Sequence, residues 1–177
     1  HTRYWRDWSS DVCSSDLQTM TMSRLKNTGE AVIIDIGEGK DIHPKNKVDV
    51  GRRLARWALA NEYGVQVPFH SPQYKSMERV DGKIVLTFEH VAGGWRPFDV
   101  AQPVGFAIAG EDHKFVWADA KVLQDGRIEV SSGKVAAPVA VRYAWADNPV
   151  CNMFSGAGLP LTPFRTDDWP GVTINNN

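Results

Sequence analysis

The apolar positions of this chain follow two regimes. Up to about residue 63 they gather into one continuous run and then a helical period, while beyond residue 72 they alternate in short stretches broken by turn residues. The run is Ala31-Val32-Ile33-Ile34-Asp35-Ile36, and its β-branched content and shortness predict a buried strand of a parallel sheet. Asn27-Thr28-Gly29 ahead of it suits a turn. After the run, Val50, Leu54, Trp57 and Ala58 recur at helical spacing while Asp49, Arg52, Arg53 and Arg56 take the other positions. That pattern predicts a helix with one apolar and one charged face. Asn46, three residues before Asp49, supplies its N-cap pair.

Near residues 64–72 the composition shifts toward Pro, Gly and Ser, which marks a boundary. Beyond it, Tyr74 to Val80 and Lys83 to Glu89 flank Asp81-Gly82, the signal of a type I′ hairpin. Val104 to Ala109 and Phe115 to Leu123 flank a Gly-Glu-Asp-His-Lys turn, and Asp125-Gly126 leads into Arg127 to Ser131. Val139 to Ala146 adds one more alternating stretch. Short strands with regular turns and no long helical period predict an antiparallel β-sandwich.

Between the first strand and the helix lies Gly37 to Asn46, and a loop leaving the carboxyl end of a strand is where open α/β sheets place their chemistry. Pro44 biases His43 toward extended backbone angles. Asp41, two residues earlier in an extended segment, faces the same side, so its carboxylate is within reach of the imidazole Nδ1–H, leaving Nε2 as a general base. An isolated Asp-x-His-Pro more often serves only as a polar lead into a helix. Gly37 and Gly39 do not make a dinucleotide loop, because Gly-x-Gly-x-x-Gly needs glycine where Ile42 stands.

The wider string from Asn27 to Ala60 resembles the last strand, catalytic-histidine loop and last helix of the sialate O-acetylesterase family, within the SGNH hydrolase superfamily. Two later stretches, Val139 to Pro149 and Gly158 to Gly171, resemble the closing segment of the same family. The similarity runs from about Gln18 to Gly171. It implies an α/β plus all-β fold: a C-terminal strand-loop-helix remnant of a flavodoxin-like hydrolase domain followed by the β-sandwich. It also implies a serine esterase that removes acetyl groups from O-acetylated sialic acid or related sugars, with an attacking serine, a proton-carrying histidine and an oxyanion hole. His43 matches the family histidine. The superfamily spacing Asp-x-x-His finds Lys40, so the orienting acid is Asp41 first, then Asp35, or else a backbone carbonyl. The family's Gly-Gln-Ser-Asn nucleophile motif does not occur, and none of Ser9, Ser10, Ser14, Ser15, Ser23, Ser71, Ser76, Ser131, Ser132 and Ser155 lies in Gly-x-Ser-x-Gly. The implied partners are an O-acetylated sugar and a missing N-terminal part of the catalytic domain. A periplasmic or secreted location is implied in the same way.

Composition changes this picture little. At 177 residues the chain is long enough to bury a core. A net charge of -1 leaves no electrostatic footprint for nucleic acid, and no apolar run approaches membrane-spanning length. No cofactor is expected, and no metal: His70, His90 and His113 lack ligand spacing and cysteine partners. Residues 1–17 contain a repeated Ser-Ser-Asp without helical or strand period and resemble translated sequencing-adapter read-through rather than a signal peptide. The expected division is therefore residues 1–17 as a foreign or disordered segment, 18–65 as the esterase piece and 66–177 as the β-sandwich. With Cys13 set aside, Cys151 stands alone and says nothing of redox compartment. Tyr143, Trp145, Trp117, Trp95 and Trp169 are candidates for a sugar-stacking surface, with core filling the more frequent role of such residues. Arg165, Asp167 and Asp168 suggest an ion pair anchoring the tail.

Overall fold

The structure, a computed structural model, describes residues 18–22, 24–39, 41, 43, 45–146 and 148–170. The expectations for residues 1–17 and for the restraint imposed by Pro44 lie outside the described residues.

Helix α1 runs Lys47–Asn61, where the period placed it. Asn46 caps it: its side-chain oxygen accepts from the Asp49 amide at 3.1 Å, and its side-chain nitrogen donates to the Asp49 carboxylate at 2.7 Å. The faces differ from expectation. The helix buries Arg53, from its charged positions, whereas Val48, Leu54 and Leu59 are 62%, 47% and 39% exposed. Gly51, Ala55 and Ala58 are exposed as well. At about 3.6 residues per turn these six positions lie on one side, interrupted only by Lys47 in the first turn, so α1 turns a largely apolar face to solvent.

The strand expected at 31–36 does not form. Residues 31–33 carry no ladder and 34–36 make a turn, with the Ile36 amide donating to Ile33 O at 3.1 Å. A strand requires a neighbour to take its backbone groups, and among the described residues none lies alongside. Side chains of α1 take that place: Arg53 donates to Val32 O, and the Trp57 indole donates to Glu30 O at 2.8 Å. Val32 is buried, and Ile34 packs on the core of the sheets.

The remainder is antiparallel. Strand β1 (Gln73–Val80) and β2 (Lys83–Glu89) form the expected hairpin, with Asp81 at φ 48° and Gly82 at φ 74°, both positive as a type I′ turn demands. Then come β3 (Phe106–Ala109), β4 (Val116–Trp117), β5 (Asp119–Val122), β6 (Ile128–Ser131), β7 (Ala140–Tyr143) and β8 (Phe164–Arg165). Two four-stranded sheets result, ordered β1-β2-β6-β5 and β4-β3-β7-β8. The single stretch expected at 115–123 is divided: Val116 and Trp117 pair with β3, whereas Asp119 to Val122 pair with β6, so one extended segment passes from sheet to sheet. Strand β7 ends earlier than its alternation suggested because Ala144 takes φ 51°.

Both sheets face one core. Ile84, Leu86, Ala120, Ile128 and Val130 come from the first sheet, and Phe106, Ile108, Val141, Tyr143 and Phe164 from the second. The Tyr143 hydroxyl accepts the Met153 amide at 3.1 Å, which satisfies its polar tip inside the core.

Candidate active-site loop

The loop from Gly37 to Asn46 is held by its own carboxylates. Glu38 accepts the Lys45 amide at 3.1 Å, and the Asp41 amide donates to Glu38 O at 3.2 Å. Asp41 Oδ1 accepts the His43 backbone amide at 2.8 Å. Asp41 therefore acts on His43 through the main chain, fixing the turn that presents the ring, rather than through the imidazole Nδ1–H as the spacing suggested. A carboxylate on its own i+2 amide is a local closure that competes with reaching the side chain. Both residues are exposed, so the imidazole is open to an approaching group.

Asp35, the second choice for the orienting acid, is occupied elsewhere. Its two oxygens meet Arg53 at 2.6 Å each in a bidentate pair whose side chains are only 10% and 17% exposed. This ion pair clamps α1 to the 28–36 segment, and with it the start of the helix from which the loop hangs.

The two distant stretches that carry the sequence resemblance meet in space. A Cβ on Gly39 would come within 2.6 Å of the Asn148 side-chain nitrogen, so the loop before α1 lies directly on the segment after β7. On the other side of the helix, Trp57 packs edge-on against Phe69 and His70 at centroid distances of 4.9 and 4.5 Å. His70 stacks on His90 at 4.1 Å, and its Nδ1 is buried without a hydrogen-bond partner. Burial, and then the charge of His90, push the His70 imidazole below its ordinary value of 6.5, against the opposing pull of Glu89.

Among the described residues no serine hydroxyl bonds to His43. Ser155 is fully buried and exchanges hydrogen bonds with the Leu159 backbone, and Ser71 is buried too. No group of three or more His, Cys, Asp and Glu side chains converges among the described residues, and no helix there is long and apolar enough to cross a membrane.

The five candidate sugar-facing aromatics separate. Tyr143 is fully buried, and Trp95 packs on Phe88 at 5.2 Å, against the core. Trp117 is 60% exposed, while Trp145 and Trp169 are half-buried beside Arg142, Arg165 and Phe115. The tail is anchored by an ion pair, but Asp167 takes Arg142 as its partner, at 2.7 and 2.8 Å, rather than Arg165. Sequence reasoning missed Arg142 and Arg53 because each stood among strand or helix residues with nothing to mark it as buried.

No family model matches the chain, and no curated protein matches it in sequence. Six solved chains match. One is XAC1771, a carbohydrate acetylesterase from Xanthomonas citri, at 43% identity and a TM-score of 0.82. The match covers 87% of this chain and 35% of that one, so the chain spans about a third of the enzyme's length. By sequence and by fold, this chain is related to part of a carbohydrate acetylesterase.

Proposed function

We propose that the chain is a portion of a carbohydrate acetylesterase of the sialate O-acetylesterase type, contributing the histidine of the catalytic group while the serine and oxyanion donors reside on sequence not present. The observation that carries this reading is the 43% identity to the Xanthomonas enzyme over 87% of the chain. In the reaction, a serine hydroxyl would lose its proton to His43 Nε2 as it attacks the acetyl carbonyl, and the imidazolium would return that proton to the departing sugar hydroxyl. Asp41 is then a positioning residue, setting the turn at His43 through the backbone bond. The uncovered apolar face of α1 is where the remainder of the catalytic domain would pack, since a face of Val48, Leu54 and Leu59 left in water is unfavourable. An O-acetylated sugar is the substrate class, and a location outside the cytoplasm goes with the family.

The test is a chimera in which residues 18–170 replace the matching third of the Xanthomonas enzyme. Hydrolysis of an aryl acetate is expected in the chimera and should fall at least a thousandfold in its His43→Ala form, whereas the chain alone should hydrolyse no faster than its own His43→Ala variant. A folded chimera whose activity survives His43→Ala sinks the assignment.

A further inference from the structure

A loop and an edge strand enclose a cleft on the outer side of the first sheet. Among the described residues β5 has no neighbour beyond it in the order β1-β2-β6-β5. Its Ala120 faces the core, so Asp119 and Lys121 point outward, and their cross-strand partners Ser131 and Glu129 on β6 point the same way. Gln102 and Pro103 form the opposite wall, and the space between is about 540 Å³, within the range of roughly 300–1,000 Å³ usual for small-molecule sites. The wall is prebuilt. Asn152, only 7% exposed, accepts the Val104 amide at 2.7 Å and donates through its side-chain nitrogen to the carbonyls of Phe98, Val100 and Gln102 at 3.3, 3.1 and 2.9 Å. Three carbonyls gathered on one nitrogen draw this loop into a crown with Phe98 close to Gln102. Phe98 is 69% exposed and Val100 51%, and Phe154 braces the Phe98 ring at 6.1 Å. The polar groups are open as well: among the described residues neither Asp119 nor Lys121 enters an ion pair and the Gln102 side chain makes no bond, while Glu129 is held by Lys83 at 2.8 Å.

We propose that this cleft binds a neutral oligosaccharide, with Phe98 stacking on one sugar ring and Gln102, Asp119, Lys121 and Ser131 meeting the hydroxyls of the next. None of these residues belongs to the His43 loop. A flat apolar ring beside a carboxylate, an ammonium, an amide and a hydroxyl matches a pyranose, which has an apolar C–H face and a rim of groups that both donate and accept. Charge narrows the class. Asp119 offsets Lys121 and Lys83 offsets Glu129, so the cleft has no net charge to draw an acidic sugar. Two exposed apolar side chains are too few for the buried centre of a protein interface. Because Asn152 already holds the loop, little ordering is needed on binding, which lowers the cost of association. The ligand class rests on the esterase reading, but the binding does not need the reaction. A polysaccharide-bound enzyme would keep acetylated chain near its active site by raising effective concentration.

Affinity electrophoresis of the full chain through gels containing arabinoxylan, glucomannan or polygalacturonate tests this without any esterase activity. At least one of the two neutral polymers is expected to retard the chain. Phe98→Ala should weaken the apparent affinity about tenfold, Asp119→Ala roughly fivefold, and Phe98→Trp should keep it. Glu111→Ala, exposed on the turn between β3 and β4, should change nothing. Unaltered thermal melting of Phe98→Ala and Asp119→Ala shows that both variants are folded. Migration unaffected by both neutral polymers, retardation by polygalacturonate alone, or equal retardation of the parent and Phe98→Ala overturns the proposal. So does a Phe98→Ala change that lowers the melting temperature of the chimera and leaves polymer binding intact, since the loop is then a seam with the rest of the enzyme. An inactive chimera alongside Phe98-dependent retardation would remove the esterase reading and leave this one standing.

Discussion

Asp35→Ala is the substitution that most directly tests how α1, and the candidate loop ahead of it, is held. The change leaves the Arg53 guanidinium, whose side chain is 10% exposed, with the Val32 carbonyl but without its bidentate carboxylate. Removing one partner of a buried ion pair costs roughly 3–5 kcal/mol, because the charge left behind is uncompensated. The retained carbonyl and the 17% exposure of Asp35 place the expected loss at the lower end, about 3 kcal/mol. At about 1.4 kcal/mol per factor of ten, amide protection across α1 should fall on the order of a hundredfold, or to none if the local stability of the helix is smaller than that. Hydrogen exchange read by mass spectrometry resolves this, with the amides of β2 and β6 as an internal control that should hardly move. Asp35→Asn keeps an acceptor and should cost less. The pair Asp35→Leu with Arg53→Met should recover most of the parent protection, since an apolar pair of similar volume replaces a buried ion pair at little cost. If Asp35→Ala changes α1 protection by less than threefold, the clamp is not what holds the helix.

Other consequences can be checked alongside. Because the folded chain binds a proton at His70 less readily than the unfolded chain, this residue's contribution to stability is complete above the ordinary value of 6.5 and declines as pH falls below it, levelling off beneath the depressed folded value. The melting temperature should therefore drop between pH 7 and 5 by more in the parent than in His70→Gln, and equal slopes would refute it. Burial, reinforced by the nearby charge of Asp35 and opposed by the bond to Tyr143, pushes the Cys151 thiol up to about 11. At pH 8 iodoacetamide should modify the Cys151 peptide far more slowly in the native chain than in urea, and similar rates would contradict the burial. A Cβ on Gly29 would sit 2.5 Å from the Trp57 ring, so Gly29→Ala should loosen the helix by roughly 1–3 kcal/mol, seen as a red shift of Trp57 emission in a form whose other tryptophans are replaced by Phe.

The linear chain by itself determined those features in which neighbouring residues decide the outcome. The Asn46 cap, the extent of α1 and the Asp81-Gly82 turn are set by contacts a few residues apart, and the alternation of strand β6 needs only a core on one side. The likeness that pointed to an acetyl-sugar esterase was legible in two separated strings, and the solved Xanthomonas enzyme agrees with it at the level of carbohydrate esterase. Tertiary structure decided where backbone and charge found their partners. The run at 31–36 has strand composition yet forms none, because a ladder requires a neighbour and α1 supplies side-chain donors instead. Arg53 and Arg142, polar by type, are buried because Asp35 and Asp167 reach them from 18 and 25 residues away. Periodicity places a residue on a face, but only the assembled fold determines what that face meets, as the exposed apolar positions of α1 show.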